Sequence, residues 1–191
     1  RELELRSEDF VYLHFGQIRP YTGVDRLLDS FEQLGQRDRD ARLLLVGSLG
    51  RFEGVRQLTD RARANPNVIG NFNPVPDDDV QLYMNAADVV VLPHRQALNS
   101  GALLLAYSFA RPVVAPATGC IAQMVDETTG VSFAADGGST ALLNAMMEAR
   151  QLGARHEEAA YARAKELHYL GSGKRFSAIL DELLENRSRY V

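Results

Sequence analysis

Residues 88–93 read Asp-Val-Val-Val-Leu-Pro, a branched apolar run closed by a charge on one side and a proline on the other. A strand apolar on both faces belongs in a parallel sheet covered by helices above and below, so this segment is expected at the sheet centre. Upstream of it, Pro76 followed by Asp77, Asp78 and Asp79 makes a helix start. Proline suits the first turn, and carboxylates there oppose the positive end of the helix dipole. That helix runs through Ala86. Further upstream, Asn67–Phe72 reads as a short strand, Phe52–Ala64 as a helix, and Ala41–Val46 as a strand ending at Gly47. In Val24–Leu34, Val24, Leu27, Leu28, Phe31 and Leu34 recur at helical spacing, while Asp25, Arg26, Asp29 and Glu32 take the other face. Before it lies Phe10–Gly16, a β-rich run closed by glycine.

Downstream come a polar loop (His94–Leu98), a small-residue helix (Ser100–Ala110), a strand (Pro112–Ala115), an irregular stretch with Gly119, and a strand near Val131–Ala134. From Thr140 to about Arg189 the pattern is helical, with breaks at Gly153 and at Gly171–Gly173. Strands alternating with helices predict right-handed βαβ units, hence an α/β fold: a doubly wound six-stranded parallel sheet, helices on both faces and a helical C-terminal tail.

The composition narrows the function. The chain has 191 residues, 46% apolar and 24% charged, enough for one ordinary globular domain and too much for a disordered tail. The net charge of −4 comes with no long basic run, which argues against duplex nucleic-acid binding. The apolar stretches Val89–Pro93 and Ala102–Ala106 fall short of the roughly 20 residues a membrane helix needs, so a soluble, cytoplasmic chain is expected. Cys120 is the single cysteine, which excludes an internal disulfide and a cysteine zinc cluster. The chain opens at Arg1 without an initiator Met, and it is expected to be part of a larger protein.

In a doubly wound sheet, ligands sit at the carboxyl ends of the strands where the strand order reverses. The loop after the first strand, Gly16-Gln17-Ile18-Arg19-Pro20-Tyr21-Thr22-Gly23, carries a cation just before a helix mouth. Arg19 and the amides near Gly23 would suit a phosphate, although a solvated arginine between turn glycines has the same sequence. It has the spacing of neither a Walker A loop nor the G-x-G-x-x-G fingerprint, which counts against an ordinary ATPase or dehydrogenase. The loop after the fourth strand, His94-Arg95-Gln96-Ala97-Leu98-Asn99-Ser100-Gly101, again pairs a cation with a helix start. Asn99 or Ser100 can cap it, leaving first-turn amides for an anion, and plain capping explains the same residues.

With these residues in view, the chain resembles the C-terminal, nucleotide-sugar-binding domain of group 1 glycosyltransferases of the GT-B fold, a Rossmann-like architecture. Phe10–Phe31 resembles that family's strand, glycine-rich loop and helix, and Leu43–Ser48 its second strand and turn. Asn67–Pro93, with its strand, Val-Pro turn, helix, Ala-Ala-Asp and apolar strand, is the most specific stretch. Arg111–Ala115 and Gly119–Phe133 complete the pattern.

The resemblance implies a donor diphosphate held by Gly16, Gln17, Arg19, Arg95, Asn99, Ser100 and Gly101. It implies a nucleobase and ribose held near Gly47, Ser48, Phe72, Asn73 and Val75. It also implies a nucleoside-diphosphate sugar as co-substrate, GDP-mannose being one guess, with no cofactor or metal. The acceptor and any general base would belong to an N-terminal domain of the parent chain, so the fragment alone would bind but scarcely catalyse. Peripheral attachment to the inner membrane surface would come through the full-length enzyme. The activity would be glycosyl transfer in polysaccharide biosynthesis, with preorganised amides and arginines stabilising the departing diphosphate.

Departures from the family pattern are specific. Gln17 and Thr22 stand where an arginine and a lysine are usual, Ala97 and Leu105 where paired glutamates grip ribose and sugar hydroxyls, and Gln123 where many relatives carry glutamate. The run Arg95-x-x-x-Asn99-Ser100-Gly101 is similar instead to a subset associated with exopolysaccharide mannosyltransferases. These losses leave two other readings open: a noncatalytic nucleotide-sugar or scaffold module, and a GT-B sugar-nucleotide epimerase. A receiver-like signalling domain fits worse, because Gly16 and Gly47 stand where its acidic cluster belongs. Among the histidines, His14 alternates within a strand and reads as structural, His94 lies at a strand end within reach of a ligand, and His156 and His168 form no ligand pair. Asp77–Asp79 read as a helix cap rather than a metal site, and Cys120 as inert. By resemblance the C-terminal helix Phe176–Leu184 would lie near the partner domain, while its Phe176, Ile179, Leu180, Leu183 and Leu184 stripe reads as ordinary core packing.

Overall fold

A computed structural model describes residues 3–96, 99–167, 173–174 and 176–182. Six parallel strands form one sheet: β1 (Phe10–Phe15), β2 (Ala41–Val46), β3 (Val68–Asn71), β4 (Val89–Val91), β5 (Val113–Pro116) and β6 (Gly130–Phe133). Their spatial order is β3-β2-β1-β4-β5-β6, so β1 and β4 meet at the centre and the order reverses between them. The helices are α1 (Val24–Gly35), α2 (Val55–Ala64), α3 (Asp77–Ala86), α4 (Gly101–Ser108), α5 (Ile121–Met124), α6 (Gly138–Ala149) and α7 (Ala154–Glu166).

Side-chain alternation divides the core into two layers. Tyr12, Leu43, Leu45, Val89, Val91 and Val114 pack on one face with Phe31 of α1, Ala62 of α2 and Leu142 and Met146 of α6. Val11, Leu13, Leu44, Val46, Val90 and Val113 pack on the other with Met84 of α3, Leu103 and Tyr107 of α4 and Ala160 of α7. Both faces of β1, β2 and β4 are therefore covered, which explains their nearly unbroken apolar sequences. Two buried phenols find backbone partners: Tyr12 donates to the carbonyl of Met146 at 2.8 Å, and Tyr107 to that of Met124 at 2.9 Å.

Several expectations shift. The ladder of β4 is only Val89–Val91, and just before it the Asp88 carboxylate accepts from the N–H of Val11 at 2.7 Å. The helix expected from Phe52 starts at Val55, with Gly54 turning the chain into it. The irregular stretch around Gly119 contains the one-turn helix α5.

Two corrections concern burial. Arg26 does not join the polar face of α1: it is 4% exposed, because the first turn of that helix abuts the end of β4, where carbonyls await a donor. The C-terminal stripe is not core packing either. Phe176 is 64% exposed, and Ile179 and Leu180 are also exposed, since Ala160 and Ala164 of α7, with Leu167, already close that face of the sheet. Leu183, Leu184 and His168, the expected break at Gly171 and Ser172, and the tail beyond residue 182 lie outside the described residues, as does Ala97.

Candidate functional site

At the reversal, the carboxyl ends of β1 and β4 open a cleft of about 400 Å³, within the roughly 300–1,000 Å³ range of small-molecule sites. His14, Phe15, Gly16 and Gln17 form one wall with Tyr21 and Thr22, and His94, Gln96, Asn99, Ser100, Gly101 and Ala102 form the other.

The β1 side is shaped by close backbone approach. Gly16 and Gly47 end adjacent strands with φ of +137° and +145°, and a Cβ on Gly47 would stand 1.9 Å from the Gly16 carbonyl oxygen. No L side chain fits there. The two loops then run side by side, the Ile18 N–H donating to Ser48 O at 2.9 Å and the Gly50 N–H to Ile18 O at 2.8 Å. Pro20–Thr22 make a single 3-10 turn in which the Thr22 hydroxyl donates to the Arg19 carbonyl at 2.7 Å and accepts from the Arg19 N–H.

The β4 side is fixed by Arg26. Its Nε donates to Pro93 O at 2.9 Å, Nη1 to Ala135 O at 3.0 Å and Nη2 to His94 O, while the guanidinium lies over the ring of Phe133. Burial lowers its pKa from the ordinary arginine value, and the neighbouring Arg95 acts in the same direction. The loops are tied directly as well, the Arg95 N–H donating to Tyr21 O at 2.9 Å. Gly23, with φ of +72°, packs so tightly that a Cβ would stand 1.8 Å from the Pro93 oxygen.

Helix α4 points its amino end into the cleft. Of the two expected caps Ser100 serves, its hydroxyl accepting from the Leu103 N–H at 3.3 Å. Gly101 and Ala102 thus present first-turn amides at the positive end of a helix.

Gly16, Gln17, Asn99, Ser100 and Gly101 come together at this cleft; Arg19 and Arg95 do not border it. The Arg19 Nε donates to the Gln17 carboxamide at 2.8 Å, and the guanidinium of Arg95 pairs with Asp25. Both arginines border a second cavity, about 570 Å³, between α1 and α2. At the end of β3, Asn71 takes the amide of Asn73 on its Oδ1 and donates to the Tyr83 hydroxyl at 2.8 Å. Phe72 lies beneath the guanidinium of Arg63, and Val75 packs on the sheet. Among the described residues no three His, Cys, Asp or Glu side chains group as a metal site, and no helix is long and apolar enough to cross a membrane.

Two residues here escaped sequence reasoning. Arg26 follows a helical pattern that gives no sign of carbonyls above it. His14, read as structural, is 2% exposed yet borders the cleft; its Nδ1 lies 3.3 Å from Val91 O. Burial holds it down to about 4, and His94 is likewise lowered, first by burial and then by the charge of Arg26.

A doubly wound parallel sheet with its cleft at the β1/β4 reversal defines a Rossmann-like fold. The model of the family described as glycosyl transferases group 1 matches residues 9–151, and the chain belongs to that family. Over 139 residues it is 38% identical to the GDP-mannose:glycolipid 4-beta-D-mannosyltransferase of Xanthomonas campestris pv. campestris, a match covering 71% of this chain and 39% of that protein. The match thus spans well under half the length of this curated relative. The C-terminal domain of a glycosyl transferase group 1 family protein (LpcC) from Francisella tularensis superposes with a TM-score of 0.69 at 14% identity, covering 83% of this chain and 85% of that one. Anabaena Alr3699/HepE in complex with UDP and glucose gives 0.71 at 22%, covering 92% and 49%. These structural likenesses carry the fold.

Proposed function

We propose that this chain is the donor-binding half of a glycosyltransferase, taking a nucleoside-diphosphate sugar into the β1/β4 cleft for transfer to an acceptor held by an N-terminal domain. The observation that carries the reading is the amino end of α4, capped by Ser100 and facing Gly16 and Gln17 across the cleft. The diphosphate lies on the amides of Gly101 and Ala102, with Gly16, Gln17 and Asn99 around it. The base lies toward Gly47, Ser48, Phe72, Asn73 and Val75. As the glycosidic bond breaks, charge builds on the diphosphate; fixed amide dipoles stabilise it there without reorganising. Arg19 and Arg95, in the adjoining cavity, add longer-range positive potential. GDP-mannose is the donor to try first, given the name of the Xanthomonas relative. The acceptor hydroxyl and any general base that takes its proton belong to the partner domain, so the 191-residue chain alone binds donor and turns it over negligibly. The exposed face of Phe176, Ile179 and Leu180 is where that domain would pack.

A noncatalytic module is the second reading, favoured by one contact. Thr22 stands where the resemblance implies a lysine, and its neutral hydroxyl, spent on the Arg19 backbone, supplies no cation.

Thermal shifts with GDP, UDP, ADP and their sugar conjugates test the binding claim. Ligand at 100 times its Kd adds about 2.7 kcal/mol, a rise of several degrees for a domain of this size. One base should stand out; no shift with any of them overturns the donor-site reading. Donor turnover by the full-length parent protein then separates transferase from noncatalytic module.

A further inference from the structure

One residue lining the cleft, His14, carries a buried polar atom without a partner among the described residues. His14 sits at the end of β1 with its Nδ1 against the Val91 carbonyl. A carbonyl only accepts, so Nδ1 carries the hydrogen, and burial keeps the ring neutral. Nε2 is then a bare lone pair, and it has no partner among the described residues. A buried acceptor left without a donor is costly, and such atoms in native structures call for an explanation. His14 lines the same cleft as Ser100 and Gly101. The diphosphate of a nucleotide sugar, esterified at both ends, is ionised at neutral pH and presents acceptor oxygens only, so it cannot serve Nε2; a hydroxyl can. His94, whose Nδ1 is also unpartnered among the described residues, takes no assigned role.

We propose that His14 Nε2 accepts a hydrogen bond from a hydroxyl of the donor's hexose, making His14 a sugar-selecting residue beside the diphosphate seat on α4. The inference rests on the donor-binding reading above.

The test uses the 191-residue chain with GDP, which carries a ribose but no hexose, against GDP-mannose, with UDP and UDP-glucose in parallel. In a histidine-labelled sample, ¹H–¹⁵N correlation should show His14 as the Nδ1–H tautomer. Its Nε2 resonance should move on adding the sugar conjugate and stay in place with the diphosphate. By calorimetry, H14F should weaken the conjugate about threefold to tenfold, one neutral hydrogen bond, and leave the diphosphate unchanged. H14Q, whose Oε1 reaches toward the Nε2 position, should recover most of the loss. If H14F fails to fold, the resonance titration on the unsubstituted chain decides alone. Diphosphate and conjugate bound by wild type but weakened equally in H14F, or an Nε2 that answers to the diphosphate, overturns the hexose contact and leaves the donor site standing. A wild type that binds none of the four overturns both.

Discussion

Arg26 donates from Nε to the carbonyl of Pro93 at 2.9 Å, and through this contact α1 holds the end of β4 in place. The same guanidinium serves His94 and Ala135, so three carbonyls from two loops depend on one side chain. Replacing it by Met should cost about 3 kcal/mol, since charged hydrogen bonds contribute about 1.5–3 kcal/mol each and the carbonyls are left without a donor. Lysine should recover only part of this, having no planar fork. Urea melts of R26M and R26K measure both; a loss under 1 kcal/mol in R26M would mean that β4 holds its loop unaided.

Glycine matters unequally around the cleft. Gly23→Ala meets both a left-handed backbone and the Pro93 oxygen, and should cost at least about 2 kcal/mol. Gly101→Ala has open space and should stay within about 1 kcal/mol of wild type, on the stabilising side through helix propensity. Denaturant midpoints of the two variants, side by side, make the comparison.

His14 also predicts an acid sensitivity. Its folded pKa, lowered from 6.5 to about 4, means that between those values the unfolded chain takes a proton the folded chain refuses. Stability is therefore lost as pH falls through that window, by on the order of 3 kcal/mol at its lower end, and nothing is lost above it. H14Q lacks this loss while sharing every carboxylate titration. The stability difference between wild type and H14Q, from urea melts at pH 7.5 and 4.5, should move in favour of H14Q on acidification; a constant difference would contradict the buried neutral ring.

Removing the helix cap should affect both fold and binding. Ser100→Ala should cost about 1 kcal/mol of stability and, by loosening the first turn of α4, weaken GDP binding severalfold. Arg19→Ala, outside the cleft, should change it no more than about threefold, with most of that effect disappearing as salt screens a distant charge. Calorimetry at low and high salt distinguishes them, and a larger loss in R19A than in S100A would move the diphosphate toward the α1/α2 cavity.

The strands were legible because the apolar runs of β1, β2 and β4 reflect burial on both faces, and β2 begins and ends as its sequence predicts. Switch-point loops follow from that alternation alone. What stayed hidden depends on neighbours far along the chain. Arg26 obeys the helical spacing of a solvent-facing residue, and only the arrival of Pro93 and Ala135 above it makes the position interior. His14 alternates correctly for a core residue; its chemistry emerges only when Val91 takes one ring nitrogen and leaves the other. The Phe176 stripe has helical periodicity without a vacant face on the sheet to receive it.

The reversal of strand order also bears on how the molecule assembles. β1 first finds β2, its neighbour in sequence, whereas β4 must close a much longer loop, past β3 and α3, to reach the other edge of β1. Such long-range pairings are the slow part of folding. The cleft exists only once that closure is made, so a nucleotide acting there would leave the rate of folding unchanged while slowing unfolding.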